Sequence, residues 1–485
     1  MSSLRLRPGI PSDRHVAPSL WLDQALLPDE ETQALDGDLH VDVCIVGGGY
    51  TGLWTALRLK ELEPSIDVAL VEQTVCGGGA SGRNSGFLLG WWRQLAALQA
   101  CCGAEEGLRL ARRAAEVADA VHAFCADHAI DADLRRSGWL WAATNSAQLD
   151  AWKSVNALLE RYDQEIFDDV STVELERLTG TSKFVGAVID RNGMSVQPAL
   201  LARGLRRVAV ERGVKVFEWS PMTALGRSQP PQVVTASGTI TANTVVLAMN
   251  AWLLQVREAA RSFFVIAGDM IATAPIPQQL EELGWTDGAG VSDARLHIRG
   301  ARTTSDGRVV YGLGGTSLIW KRGHGAVFDG VVPTHRADQI KASFAELYPH
   351  LAGVEIARTW TGPVDKSATG LPFFGRLNSN ADIIYGAGFS GNGVGPTYLA
   401  GHMLAAMALR RDDEWAHSAQ LLAPRRGLPP EPLRYLGGRV VKAAVARSER
   451  LQQIGRRPDA LTRALVARVP GRQLSHARDT STNIG

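Results

Sequence analysis

The segment DVCIVGGGYTGLWTALRLKELEPSIDVALVEQ, residues 42–73, decides the fold class of this chain. A continuously apolar run from His40, typical of a buried strand, leads through a glycine-rich turn into apolar positions at helical spacing from about Tyr50 to Leu62. A second apolar run ends at Glu72. The pattern predicts a strand, a helix and a second strand that form one βαβ unit of a parallel sheet.

Three glycines of the turn, Gly47, Gly49 and Gly52, have the spacing GxGxxG. The first permits a tight turn, the second lets the backbone approach a pyrophosphate, and the third lets the helix pack closely on the strand. Free N–H groups at the start of the helix favour phosphate, and Glu72 is placed to accept hydrogen bonds from ribose hydroxyls. These features predict dinucleotide binding, and they leave NAD and FAD as alternatives.

Two further glycine-rich stretches favour FAD over NAD. CGGGASGRNSGFLLGWW, residues 76–92, can lay backbone amides along a second phosphate and a ribityl chain, with Arg83 and Asn84 as added donors. YGAGFSGNGVGP, residues 385–396, precedes an apolar helix whose N-terminus would stabilise negative charge on a flavin ring. The alternatives are a surface loop for the first stretch and a glycine-lined helix entry without a ligand for the second.

Composition excludes several classes of protein. The 485 residues carry 51 Lys+Arg and 50 Asp+Glu, a net charge of +1, so we expect no nucleic-acid partner. The five cysteines form no CxxC pair and all lie between Cys44 and Cys125, so neither a disulfide framework nor a metal site is expected. The sequence shows neither the apolar run of a secretory signal nor a stretch that could cross a bilayer, which predicts a cytoplasmic location.

The remaining periodicities outline the rest of the chain. Residues 1–36 read as a proline-punctuated arm, pinned to the core by the segment from Ser19 to Leu22. Helical spacing covers residues 105–128 and 148–163, and a further helix runs from about residue 198 to a stop at Gly213. Strands are predicted over residues 244–252, 263–274 and 307–315, and the alternation of the last two indicates an antiparallel sheet.

The tail is the one strongly polarised segment. From Arg425 onward 13 Lys+Arg stand against 4 Asp+Glu, a net charge of +9, with apolar residues at helical spacing between Leu433 and Leu451. This describes a basic amphipathic helix. Its apolar stripe can pack on this chain's own domains, contact another protein chain, or lie on anionic lipid.

The motifs together resemble the FAD-dependent D-amino acid oxidase and glycine/sarcosine oxidase superfamily, and within it the γ-glutamylputrescine oxidase-like branch. Besides the three glycine-rich stretches, the resemblance rests on TVVLAMNAW (244–252), TTSDGRVVYGLGGT (303–316) and WTGPVDKSATGLPFFG (360–375). It implies an α/β fold in which a Rossmann-like FAD-binding domain carries an inserted antiparallel-sheet substrate domain, followed here by the basic helical C-terminal extension. The segments expected are an arm, 1–36; an FAD-binding domain, 37–90, 193–258 and 357–411; a substrate domain, 91–192 and 259–356; and the extension, 412–485.

The resemblance also implies which residues bind the cofactor. The ADP half would be held by Gly47, Gly49, Gly52 and Glu72, with Val216 on a neighbouring strand. The phosphates and flavin would be followed by Ser81, Gly82, Arg83, Asn84 and Ser85, and the flavin edge by Gly388, Gly391, Asn392, Gly393 and Val394. The positions at which relatives attach flavin covalently hold neither Cys nor His here, so noncovalent FAD is expected.

Two departures from the superfamily pattern bear on the substrate. The late glycine loop has no lysine to hold a substrate carboxylate, which argues against a small α-amino acid. The aromatic pair that some members of the branch carry before the SxDGR-type turn is Gly300 and Ala301 here, which indicates an altered pocket.

Five residues are candidates for the substrate side. Trp91, with its neighbour Trp92, and Trp360 can form apolar walls, and their alternative is ordinary core packing. His297 and Arg299 are polar groups near the expected substrate sheet; Arg299 can bind a distal carboxylate or phosphonate, or be a solvated strand residue. Lys366 can assist the reaction of reduced flavin with oxygen, or form a surface ion pair with Asp365.

The reaction implied by the resemblance is oxidation of an amine C–N bond. Hydride passes from the α-carbon of the neutral amine to flavin N5, the imine is hydrolysed, and O₂ takes the electrons to give H₂O₂. Two alternatives stay open: a dehydrogenase that passes electrons to a quinone or a partner protein, and a flavin-binding subunit without catalysis.

Overall fold

The computed structural model describes residues 4–5, 16, 19–26, 32–320, 327–425 and 427–470. Most of the predicted arm before Ser19 and the part of the predicted tail from residue 471 onward lie outside the described residues. The strands are β1 (Leu4–Arg5), β2 (Leu39–Val46), β3 (Val68–Val71), β4 (Phe87–Leu88), β5 (Trp139–Ala143), β6 (Asp168–Asp169), β7 (Gly186–Asp190), β8 (Met194–Ser195), β9 (Lys215–Phe217), β10 (Ala224–Gly226), β11 (Gln232–Val234), β12 (Thr239–Leu247), β13 (Phe263–Thr273), β14 (Gly290–Asp293), β15 (Arg299–Thr303), β16 (Val309–Leu318), β17 (Ile356–Ser367), β18 (Phe373–Leu377) and β19 (Asn380–Ala387). The α-helices are α1 (Leu20–Ala25), α2 (Tyr50–Leu62), α3 (Leu95–Cys102), α4 (Ala104–Ala115), α5 (Val117–Asp127), α6 (Lys153–Glu160), α7 (Thr172–Thr179), α8 (Pro198–Glu211), α9 (Pro277–Glu282), α10 (Thr334–Leu347), α11 (Pro396–Ala408), α12 (Glu414–Leu421), α13 (Leu433–Gln453) and α14 (Ala460–Val466).

The first sheet has a parallel centre. Its strands follow the order β1, β10, β11, β12, β2, β3, β9, with β19 also parallel to β12 and β18 attached to β19. Strand β2 is parallel to both β12 and β3, and helix α2 spans Tyr50–Leu62 as predicted. The carboxyl ends of these strands meet at one edge, where open α/β sheets bind their ligands.

The second sheet has eight strands in the order β17, β13, β16, β15, β14, β5, β7, β6. All of its pairs are antiparallel except β14 with β5. Helix α10 covers one face, where Phe344 packs edge-on against Tyr311 of β16. Because side chains alternate along a strand, the opposite face of β13, with Phe264, Ile266 and Met270, is left to line a cavity.

Three details differ from the expectations. The strand predicted over 244–252 ends at Leu247, because Asn250 takes a φ of +45° and begins a short 3₁₀ turn over Asn250–Gln255. The helix predicted over 105–128 is divided at Glu116 into α4 and α5, and the one over 148–163 is reduced to α6. Strand β17 pairs along its length with β13 in the second sheet, although residues 357–411 were assigned to the cofactor domain.

Both ends of the described chain pack on its centre. The hydroxyl of Ser19 accepts from Leu22 N–H to start α1 and donates to the Gly82 carbonyl at 2.9 Å. In α13, Ala444 and Val445 are buried, whereas the apolar side chains near its start, from Leu433 to Val440, are exposed. Among the described helices, none has the length and apolarity needed to cross a membrane.

Candidate active site

A cavity of about 3110 Å³ lies between the carboxyl edge of the first sheet and the uncovered face of the second. Its wall includes Gly47 and Glu72 from the first sheet, Met270 from the second, and Val445 and Glu449 from α13. The predicted nucleotide motif, the late glycine loop and the C-terminal extension therefore border one continuous space.

The glycine turn has the geometry that dinucleotide binding requires. Gly47 has φ +112°, and a Cβ there would lie 2.5 Å from the Ala248 carbonyl oxygen. A Cβ at Gly52 would lie 2.0 Å from the Gly47 oxygen, so α2 can approach β2 only without a side chain at this position. Gly49 is the residue that caps α2, and it faces the cavity.

Glu72 lies on the cavity wall at the end of β3. Its carboxylate accepts from the backbone N–H groups of Gly48 at 2.8 Å and Thr74 at 3.0 Å. Burial raises the pKa of Glu72, and these hydrogen bonds oppose that shift. The carboxylate is thus oriented beside the glycine turn, as the assignment to a ribose requires. Val216 lies elsewhere, buried in β9 among core residues and away from the cavity wall.

In the loop after β3, some residues stabilise the loop itself and others border the cavity. Asn84 donates to the carbonyls of Ala80 and Ser81 and accepts from Gly86 N–H, so its amide folds the loop instead of offering donors to a cofactor. Gly82 faces the Gly77 carbonyl and lies behind the wall. Ser81, Arg83 and Ser85 border the cavity with Asn84.

Arg83 is the buried cation of this loop. Its guanidinium donates to the carbonyls of Phe328 at 2.9 Å and Gly78 at 2.5 Å. Its Nε is buried and has no hydrogen-bond partner among the described residues. Burial lowers the pKa of Arg83 to about 10, so the side chain is charged at neutral pH and keeps a donor for a further acceptor.

The late glycine loop joins β19 to α11. Gly391, Asn392, Gly393 and Val394 border the cavity, and the Asn392 side chain donates to the Gly90 carbonyl at 2.9 Å. Gly388 lies behind this surface.

Gly388 has φ +85°, and its N–H donates to the buried Asp365 carboxylate. Burial raises the pKa of Asp365 to about 6, and the backbone hydrogen bonds that it accepts oppose that shift. Asp365, which also borders the cavity, therefore fixes the loop through its carboxylate, and it was not recognised from the sequence as a group that does so.

Lys366 and His297 are the substrate-side candidates that border the cavity. Lys366 Nζ donates to the Ser390 carbonyl at 2.8 Å, and burial, with a smaller effect of the positive charge of Arg93, lowers its pKa to about 8. The surface ion pair considered for it is therefore wrong. His297 Nδ1 lies 3.0 Å from a carboxylate oxygen of Glu449 on α13.

The other three substrate-side candidates are not on the wall, so their predicted roles are corrected. Trp91 is buried among core residues of the first sheet and its helices, and its neighbour Trp92 faces the cavity instead. Trp360 donates to the Arg83 carbonyl at 3.0 Å and packs edge-on against Trp21. These two tryptophans act as packing residues.

Arg299 is neither a free anion receptor nor a solvated strand residue. Its side chain is 3% exposed, and its Nε lies 2.7 Å from the Asp293 carboxylate. Glu346 approaches the same guanidinium at 3.4 Å. Because these carboxylates already neutralise it, Arg299 is part of a buried ion pair that ties β15 to the end of β14.

Two functional candidates were missed in the sequence. Arg93 faces the cavity with its guanidinium carbon 4.1 Å from the ring centre of Trp141 and 5.0 Å from that of Trp139. Glu449 reaches across from α13 to Arg295 and His297. The one local signal for Arg93 was its position directly after the two tryptophans that end the second glycine-rich stretch; for Glu449 the sequence holds no comparable signal.

Comparison with known proteins fits this geometry. The family model described as FAD dependent oxidoreductase (DAO) matches residues 42–407. The chain belongs to this family. Its FAD dependence, its oxidoreductase class and its place in the D-amino acid oxidase superfamily are therefore confirmed.

Three relatives illustrate the likeness. The γ-glutamylputrescine oxidoreductase of Escherichia coli K12 is 30% identical over 78% of this chain and 86% of its own length. The sarcosine oxidase subunit beta of Rhizobium meliloti is 26% identical over 76% of this chain and 85% of its own length. The crystal structure of glycine oxidase from Geobacillus kaustophilus, 20% identical, superposes with a TM-score of 0.64 over 81% of this chain and 100% of that structure.

The residues present fit FAD. The glycine turn has no room for a Cβ at Gly47 or Gly52, the cavity continues from Glu72 to the late glycine loop, and Arg83 keeps a buried donor without a partner among the described residues. This length of cradle suits an extended dinucleotide whose second half is a flavin.

Proposed function

We propose that this FAD-dependent oxidoreductase oxidises the C–N bond of an amine and uses O₂ as electron acceptor. The relatives named for glycine, sarcosine and γ-glutamylputrescine support an amine-type substrate. The observation that carries the proposal is the position of Lys366, a half-buried cation held against the late glycine loop on the wall of the cavity.

Bound FAD supplies the hydride acceptor. In this proposal it is held noncovalently by the glycine turn and Glu72 at one end, by the loop from Ser81 to Ser85 in the middle, and by residues 391–394 at the flavin end. The proposed domain boundaries follow the same division except at β17, which belongs to the second sheet, and this sheet is proposed to face the flavin.

The remaining tasks fall to the protein. The amine must reach the flavin without its extra proton, since only the neutral form has a nitrogen lone pair to support loss of hydride from the neighbouring carbon. An alkylamine with a pKa of about 10.4 in water is charged at pH 7, and desolvation in a cavity lined by Trp92, Phe87 and Met270 favours its neutral form. The aromatic faces also attract the arriving ammonium by about 0.5–2 kcal/mol. Water then hydrolyses the imine to an aldehyde and a free amine or ammonia.

Lys366 is proposed to serve the oxidative half of the reaction. Two electrons and two protons reduce O₂ to H₂O₂, and the first electron transfer creates a negative charge on oxygen. The ammonium of Lys366, kept in place by the Ser390 carbonyl, stabilises that charge. His297, oriented by Glu449, borders the same space and is proposed as a substrate-positioning residue.

The test of this function is anaerobic reduction of the purified holoenzyme by a panel of amines, followed by admission of air. We expect the flavin absorbance near 450 nm to be lost with γ-glutamyl amines, polyamines or N-methylated amines, and to return in air with one H₂O₂ per turnover. Flavin that no amine reduces would contradict the proposal and favour a flavin-binding subunit. Reduction by small α-amino acids alone would contradict the interpretation of the late glycine loop.

One observation favours a dehydrogenase as second candidate. Leu433, Leu436 and Val440 of α13 are more than half exposed on a helix that also borders the cavity. Such a basic, apolar face suits contact with an electron-accepting protein or with a membrane that carries quinone. Amine-reduced enzyme that reacts with a quinone analogue at least tenfold faster than with air-saturated buffer would decide for the dehydrogenase.

A further inference from the structure

Arg93 is a cavity-facing cation whose donors are not satisfied by the protein. It lies in the short 3₁₀ turn Trp92–Gln94, between β4 and α3. Its guanidinium packs against the rings of Trp139 and Trp141 at the start of β5. Among the residues that the structure describes, no carboxylate lies within 4.0 Å of it and no acceptor is hydrogen-bonded to it.

Three other arginines on the same wall already have partners. Arg83 donates to two carbonyls, Arg295 pairs with Glu449, and Arg434 pairs with Glu431 and donates to two carbonyls. Burial lowers the pKa of Arg93 to about 10, so its side chain is still charged at neutral pH. A partly buried charge without an ionic partner is unfavourable, and a ligand of opposite charge can compensate it.

The contact with the two rings bears on which ligand suits Arg93. A guanidinium that packs over aromatic rings can still donate through the N–H groups that lie in its own plane. Two parallel N–H groups match the two oxygens of a carboxylate or of a phosphonate. The tryptophans also hold the side chain still, so little conformational freedom is lost when an anion binds.

The turn of Arg93 adjoins the flavin end of the cavity. The Gly90 carbonyl, three residues earlier, accepts from Asn392 of the late glycine loop. Arg93 and Lys366 border the same cavity, and the positive charge of Arg93 contributes to the lowered pKa of Lys366. Lys366 is held by the Ser390 carbonyl, so an anion entering between them finds its free donors on Arg93.

We propose that Arg93 is a specificity-determining residue that binds an anionic group, a carboxylate or a phosphonate, at the end of the substrate remote from the amine that is oxidised. The inference rests on the proposed function and narrows its substrate class to amines that carry a distal anion. It gives to Arg93 the role that sequence patterns suggested for Arg299, whose charge is already used by Asp293.

The experiment compares matched ligands on the holoenzyme. Glutarate, 4-aminobutanoate and butylamine are titrated into oxidised protein without oxygen, with binding measured by calorimetry and by the shift of the flavin spectrum. The wild type should bind 4-aminobutanoate at least tenfold more tightly than butylamine. Arg93→Met should weaken the binding of glutarate and 4-aminobutanoate by roughly 10- to 100-fold and that of butylamine by less than about twofold.

Arg212→Met is the matched control, because Arg212 also stacks on a ring, that of Phe124 at 5.6 Å, but lies outside the cavity wall. Its variant should bind all three ligands like the wild type. Arg93→Lys keeps the charge and loses the paired donors, so it should weaken glutarate binding by roughly 3- to 10-fold. If the Arg93→Met protein does not retain its flavin, the inference is tested by the binding of glutarate to the Arg93→Lys protein.

Equal weakening of butylamine and 4-aminobutanoate by these variants, or a wild type that binds neither glutarate nor 4-aminobutanoate, would overturn the inference. Because glutarate is not oxidised, its binding reports on Arg93 even if no amine reduces the flavin. Failure of the anion site and failure of the proposed function are therefore distinguishable.

Discussion

Replacement of Gly52 by alanine tests the central claim about the cofactor cradle. The added Cβ would lie 2.0 Å from the Gly47 carbonyl oxygen and 3.2 Å from Ile45 Cγ2. Since carbon and oxygen approach no closer than about 3 Å, α2 must move by about 1 Å away from β2. Overpacking of this kind costs about 1–3 kcal/mol, whereas alanine in a helix interior returns about 1 kcal/mol of intrinsic propensity.

The moved part is the start of α2, whose N–H groups are proposed to face the pyrophosphate. We therefore expect Gly52→Ala to bind FAD about 10- to 100-fold more weakly, which corresponds to about 1.4–2.8 kcal/mol. FAD affinity is measured by titrating apoprotein with FAD and recording the quenching of flavin fluorescence. The stability of the apoprotein is measured by urea unfolding.

Gly437→Ala is the matched control, because a Cβ at this helical position of α13 has no heavy atom within 4 Å. It should bind FAD like the wild type and be up to about 1 kcal/mol more stable. A Gly52→Ala protein with unchanged FAD affinity would refute the idea that close packing of α2 on β2 positions the phosphate site.

Three further changes have defined outcomes. Lys366→Met should slow the reaction of reduced enzyme with oxygen by at least tenfold in stopped-flow experiments, and it should leave anaerobic reduction by amine little changed. In the wild type the rate of reaction with oxygen should fall as pH rises through about 8, because Lys366 loses its proton there. The rate of the variant should not fall in this pH range. Burial raises the pKa of Glu449, but the hydrogen bond and charge interaction with His297 and the charge of Arg295 outweigh it and lower the pKa to about 2. The carboxylate therefore stabilises the fold above pH 4.5, and that contribution shrinks as pH falls through about 2. Glu449→Gln should cost up to about 3 kcal/mol at pH 7 in denaturant unfolding, and a difference from wild type that is as large at pH 2.5 as at pH 7 would contradict this. Ser19→Ala removes the cap of α1 and the bond to the Gly82 carbonyl, and should lower the free energy of urea unfolding by about 1–2 kcal/mol; an unchanged unfolding free energy would show that neither bond contributes to stability.

The sequence was sufficient to predict those parts of the fold that depend on residues close together in the chain. The turn from Gly47 to Gly52, the bounds of α2 and the stop of α8 near Gly213 follow from spacing, propensity and the freedom of glycine, all of which act over a few residues. The end of β12 did not follow, because it depends on Asn250 taking a positive φ.

Side-chain direction was beyond the sequence. Trp91 and Trp92 are adjacent and both are buried in the same core cluster, yet only Trp92 also borders the cavity, because the turn between β4 and α3 decides which way each side chain points. Arg299 and Arg93 are both arginines near aromatic residues, and what separates them is the carboxylate of Asp293, which the pairing of β14 with β15 brings to Arg299. Such differences come from contacts between distant segments.

The order of the cradle's parts along the chain has a consequence for biosynthesis. The first glycine turn leaves the ribosome early, whereas the late glycine loop and α13 emerge only after the whole second sheet has been made. A nascent chain therefore contains the first glycine turn before it contains the late glycine loop that is proposed to contact the flavin. The proposed cradle is complete only after the late glycine loop has been synthesised, so its full set of cofactor contacts forms late in the synthesis of each chain.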